Sequence, residues 1–144
     1  MLTVKQLLAA KPQNAVYAVR PDHMVIDALE LMATRNIGAV LIMVEEQLVG
    51  IFSERDYARK GILQDRKAKS TPMEEVMTPG VFTVNLQQNI DDCMRLMSEK
   101  KIRHLPVMDD GQVIGLLSVG DIVTAIMNEQ KNRIQSLEQY IMAG

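Results

Sequence analysis

Apolar residues change period several times along this chain, and each change marks an element. Thr3 can cap a short helix over Val4–Ala10, which Lys11-Pro12 ends. Val16–Val19, Val-Tyr-Ala-Val, reads as a short strand, stopped by Pro21. Val25, Ala28, Leu29 and Met32 then follow the i, i+3, i+4, i+7 spacing of a helix with one buried face. Ala39–Val44 is a continuous apolar run of strand length, Glu45-Glu46 turns the chain, and Gln47–Ser53 returns as a second strand. Glu54–Gly61 reads as a closing helix. Residues 65–72 are polar and basic and read as a linker, and Met73–Met77 is a helical turn closed by Thr78-Pro79-Gly80.

The pattern then starts again. Placing Val16–Asp56 on Val81–Asp121, a shift of 65 positions, needs no gap and leaves 11 of 41 positions identical, among them Asp27/Asp92, Met32/Met97, Gly50/Gly115, Ser53/Ser118 and Asp56/Asp121. A match of that length without a gap is a duplication, so the structural unit is half the chain. The second helix carries Ile90, Cys93, Met94 and Met97 at the same spacing, and Asp109-Asp110-Gly111 supplies the second hairpin turn. The fold class is therefore α+β, with two repeats of strand, helix, strand, strand, helix. The domain reading is 1–64 for the first repeat with its N-terminal helix, 65–72 for the linker, 73–128 for the second repeat and 129–144 for a helical extension. No Gly or Pro interrupts the last helix between Asp121 and Gly144, and Met127, Gln130, Ile134, Leu137 and Ile141 give it a partner-facing seam. A half of about 60 residues has a sheet with one uncovered face, so the halves are expected to pack together.

Composition removes several classes of function. A formal charge of −2 offers no field for nucleic acid. With one Cys and two His, neither a disulfide nor a structural zinc site can form, and the single thiol suits a reducing, cytoplasmic setting. The first residues lack the apolar stretch of a signal peptide, and Ala39–Val44 is too short to span a membrane. Cys93 takes the small core position of Ala28, which favours packing over nucleophilic chemistry. No nucleophile–base pair, phosphate loop or metal cluster stands out around His23 and His104, so no enzyme activity is expected.

The candidate chemistry lies in Gly50-Ile-Phe-Ser-Glu-Arg-Asp56 and Gly115-Leu-Leu-Ser-Val-Gly-Asp121. Each reads as a strand ending in Ser, then a helix with Asp in its first turn. One reading is a helix cap, Ser at the N-cap with an acid three residues on. The other is a nucleoside site, in which the hydroxyl and free N–H groups meet phosphate and the carboxylate accepts from a ribose. The same Ser and Asp in both copies favour the second.

These stretches, with Ile102-Arg-His-Leu-Pro-Val107, resemble a pair of CBS domains, the Bateman module, over about residues 1–130, and most closely the stand-alone bacterial kind with no catalytic domain. The resemblance implies pseudo-twofold repeats, dimerisation into a flat four-repeat disc, and an adenosyl ligand: AMP foremost, with ATP, NAD(H) or S-adenosylmethionine as alternatives. It implies a regulatory, signal-transducing homodimer acting on a target protein that the sequence does not name. A ligand-free oligomerisation scaffold is the alternative. It also implies that each site joins the Ser-x-x-Asp of one repeat to the post-helix residues of the other. Ser53, Glu54, Arg55 and Asp56 would then work with Arg103 and His104, and Ser118 and Asp121 with Gly38 and Ala39. The two sites are expected to differ, because only the first gains a cation for phosphate, and protonation of His104 near pH 6.5 is expected to tighten AMP.

Overall fold

The computed structural model describes residues 2–12 and 14–143. Helix α1 (Val4–Ala10) is followed by β1 (Ala18–Val19), α2 (Val25–Arg35), β2 (Ala39–Val44), β3 (Gln47–Ser53) and the single turn α3 (Glu54–Asp56). After the linker come α4 (Ile90–Lys100), β4 (His104–Asp109), β5 (Gln112–Ser118) and the long α5 (Val119–Ala143). The repeats agree in detail. Each hairpin carries a bulge at the same place, Ile42/Met43 and Val107/Met108. Helices α2 and α4 both end on a left-handed residue, Asn36 at φ 53° and Lys101 at φ 55°. Asn takes that conformation readily, whereas Lys does not, and Lys101 opens the segment that carries Arg103 and His104.

Two departures from the sequence reading have clear causes. The closing helix of the first repeat is one α-helical turn, after which Tyr57–Gly61 widens to π spacing and Ile62–Gln64 tightens to 3-10. Tyr57 presses on Gly61, where an added Cβ would stand 2.9 Å from the ring. The first strand of the second repeat shrinks to one bridge, Val84 with Val107, leaving a two-stranded sheet beside a three-stranded one. In the first repeat Leu41 donates its N–H to the Tyr17 carbonyl at 3.0 Å. The equivalent position is Pro106, which has no N–H, so the matching bond to Phe82 cannot form.

The core is divided in two and exchanged. Val19, Ala28, Met32, Val40, Ile42 and Phe52 of the first repeat close around Met73 and Val76, which open the second. Ile90, Cys93, Leu105, Val107, Leu117 and Ile122 of the second close around Val4, Leu7 and Leu8 of α1. The backbone fixes both crossings: Val4 donates to Gln88 and Ile90 to Leu2, while Val25 donates to Thr71 and Met73 to His23. Thr71 and Ala68, in the linker, are thereby packed against the start of α2. The motif glycines make room for the crossings. A Cβ on Gly50 would fall 2.7 Å from the Met77 sulfur, and one on Gly115 would fall 2.9 Å from the Leu8 side chain.

Candidate functional site

The segment that opens the second repeat crosses to the first and builds the site. Thr78 exchanges two backbone hydrogen bonds with Ile51, at 2.8 and 3.0 Å, which holds its side chain beside the end of β3. There the Ser53 N–H and hydroxyl donate to Asp56 Oδ2 at 2.9 and 3.1 Å, and the Asp56 N–H donates to Ser53 Oγ at 3.3 Å. The reciprocal cap is thus formed. The second carboxylate oxygen points the other way: Oδ1 accepts from Thr78 Oγ1 at 3.1 Å, and the Lys60 ammonium lies 3.6 Å away while donating to Thr78 at 2.9 Å.

A cleft of about 520 Å³ opens over this group. It gathers Ser53, Glu54, Arg55, Asp56 and Gly38 from the first repeat with Arg103 and His104 from the second. The arrangement crosses between repeats because His104 pairs with Ser118 in its own hairpin while its imidazole reaches Gly38, where an added Cβ would meet Nε2 at 3.7 Å. The sequence reading missed Thr78, Arg59, Lys100, Lys101 and Phe82, which also line the cleft. Thr78-Pro79 was legible only as a turn, although an X-Pro pair stands ahead of the first strand in both repeats, as Lys11-Pro12 and Thr78-Pro79. Five cationic side chains (Arg55, Arg59, Lys100, Lys101, Arg103) face two acidic ones (Glu54, Asp56), an excess of three positive charges in a chain of net charge −2. With α3 only three residues long, these side chains outweigh any helix dipole in attracting an anion.

The second motif has the same cap and a different neighbour. Asp121 Oδ2 accepts from the Ser118 N–H at 2.9 Å, and the Asp121 N–H donates to Ser118 Oγ at 3.0 Å. From the other leading segment, the Lys11 ammonium donates to the cap oxygen, Asp121 Oδ2, at 2.9 Å and to the Leu116 carbonyl at 2.8 Å. Burial alone would raise the Asp121 pKa, but the Ser118 N–H and Lys11 together outweigh it and hold the carboxyl below its usual range. The cleft that holds Gly38 does not hold Ser118 or Asp121, and Ala39 is buried in β2, paired with Ser53. The structure therefore groups Gly38 with the first motif, and Lys11 with the second.

Burial also moves His104. Loss of water lowers its pKa from 6.5, with Arg103 and Lys11 adding to the effect and Asp121 and Asp56 opposing it. The imidazole is neutral at pH 7, so the expected tightening near pH 6.5 is corrected to a more acid range. Because the folded value lies below the unfolded one, the contribution of His104 to stability is complete above about pH 6.5 and is lost as pH falls through the folded pKa. Nucleotide affinity of wild type and His104→Gln should run parallel with pH above 6.5 and diverge below it; divergence between pH 7 and 8, by calorimetry, would show a charged imidazole.

Comparison with known proteins decides the family. Residues 4–61 and 73–128 each match the CBS domain. The chain belongs to the CBS domain family, as a tandem pair, or Bateman module. Among solved structures, a protein with CBS domains from Burkholderia ambifaria superposes with a TM-score of 0.86 at 47% identity, covering 89% of this chain and 96% of that one. The CBS domain pair of protein MJ0100, in complex with 5-methylthioadenosine and S-adenosyl-L-methionine, superposes at 0.76 with 28% identity over 86% of this chain and 98% of that one. CBSX3, a mitochondrial CBS domain protein of Arabidopsis thaliana, is 38% identical over 128 residues, and this chain spans 62% of its length. No helix among the described residues is long and apolar enough to cross a membrane.

Proposed function

We propose that this CBS pair is a regulatory sensor that holds one adenosyl ligand per chain in the cleft between its repeats, and transmits occupancy to a partner protein in the cytoplasm. The observation that carries the reading is one cleft in which Ser53, Asp56 and Thr78 meet a cationic wall containing Arg103. Carboxylate and hydroxyls suit the two hydroxyls of a ribose, and the guanidinium suits a phosphate. A nucleoside monophosphate presents both groups, which places AMP first and ATP, NAD(H) and S-adenosylmethionine after it. The complex of the MJ0100 pair with two adenosyl compounds supports the ligand class. Binding rather than catalysis suits a cleft in which the Ser53 and Thr78 hydroxyls both bond to the Asp56 carboxylate and neither bonds to the His104 imidazole. The Cys93 thiol, pushed up to about 11 by burial and by Asp92, stays protonated in the core.

The asymmetry of the two motifs supports one tight ligand per chain. Lys11 holds Asp121 at 2.9 Å, closer than the 3.6 Å of Lys60 to Asp56, and Ser118 and Asp121 lie outside the cationic cleft. Calorimetry with AMP should return one tight site per chain, and Lys11→Ala should add a second, weaker event with adenosine. Two equal sites in the wild-type chain would overturn the asymmetry. A thermal-shift screen over AMP, ADP, ATP, NADH, S-adenosylmethionine and GTP tests the class, and no shift with any of them would leave the scaffold reading, in which both motifs only cap.

A further inference from the structure

The last helix leaves the body of the molecule with an apolar stripe and nothing to cover it. Helix α5 packs inward through Val119, Ile122, Ala125 and Ile126. Every residue from 130 to 143 is exposed, a projection of about 21 Å at 1.5 Å per residue. Val123, Met127, Gln130, Ile134, Leu137 and Ile141 step by four and three in strict alternation, so all six share one seam. The five apolar members are 41%, 64%, 57%, 62% and 74% exposed. A lone projecting helix of this length is marginal in water, and a heptad seam is what a second helix covers.

We infer that the occupant is the same segment of a second copy of this chain, paired parallel and in register as a short two-stranded coiled coil. In heptad terms Met127, Ile134 and Ile141 fall at a, and Val123, Gln130 and Leu137 at d. One heptad, Ile134 at a with Leu137 at d, has the pattern that favours two parallel strands. Charge agrees, because Arg133 at g faces Glu138 at e of the partner helix, five residues on, twice by symmetry. Charge alone does not choose the direction, since an antiparallel pair would set Lys131 against Glu138. Gln130 chooses it. A parallel pair puts the two Gln130 amides side by side, where each can donate to the other. The antiparallel pair that matches those charges puts Gln130 against Ile141 and leaves a buried amide without a partner. The consequence reaches beyond the tail: the two second repeats lie together on one twofold axis, so the modules are arranged head to head.

Disulfide trapping on the full chain tests this, with Cys93 too buried to interfere. Leu137→Cys alone should oxidise to a covalent dimer, since in a parallel pair residue 137 meets its own copy. Sedimentation equilibrium should show Arg133→Glu weakening the dimer roughly fivefold, and the swap Arg133→Glu/Glu138→Arg restoring it. These positions are exposed, so the fold of each chain is unaffected. A wild-type monomer at tens of micromolar would overturn the inference. So would a dimer indifferent to Arg133→Glu, or cross-linking only in a mixture of Ile134→Cys and Leu137→Cys chains, which is the antiparallel result.

Discussion

Asp56→Asn is expected to weaken AMP and adenosine alike by about 1.5–3 kcal/mol, roughly 10- to 150-fold, the range for hydrogen bonds to a charged group. The geometry makes this a sharp test, because the carboxylate has two separable duties. Oδ2 completes the cap with the Ser53 N–H, and an Asn carbonyl can take over that bond. Oδ1 accepts from the Thr78 hydroxyl beside Lys60, on the cleft side, and an amide nitrogen there cannot accept from a ribose hydroxyl. A cap alone therefore predicts a small loss of thermal stability with affinity untouched. Unchanged affinity for both ligands, by calorimetry, would reduce Asp56 to a cap.

Arg103→Ala is expected to separate the two ligands instead. AMP should lose about tenfold or more, as befits the loss of a guanidinium from a phosphate, while adenosine binding barely changes. Arg55, Arg59, Lys100 and Lys101 line the same cleft and keep it positive after the substitution, so a loss would report a specific contact rather than the general field. Equal losses for AMP and adenosine would assign Arg103 to the shape of the pocket and leave phosphate to the remaining cations.

Repeats, hairpins and the long final helix were legible because each rests on a local signal: hydrophobic period, a Gly or Pro stop, or self-similarity. Where the sequence misled, a single residue acted through a partner far along the chain. Pro106 removes a ladder bond that Leu41 makes in the first repeat. Gly61 looks like a helix end and is instead a seat for the Tyr57 ring. At the candidate site, Ser53 and Asp56 were marked by the duplication, and Arg103 and His104 by the resemblance to CBS pairs. Thr78 and Lys11 were not, because they belong to the leading segments of the repeats, and no period marks where a crossing segment will land. His104 was read as an ordinary titrating group, since burial leaves no trace in the neighbouring letters.

The exchanged segments bear on how such a molecule could arise and diverge. One copy of the repeat, standing alone with its own leading segment, would have that segment turned away from its core and the core left open. It could close only by taking the leader of a second copy, as reciprocal partners do. Joining two copies end to end makes the trade internal, and the two leading segments are then free to differ. Here one leader delivers a threonine to its carboxylate and the other a lysine, so two motifs with the same Ser and Asp end in different chemical surroundings.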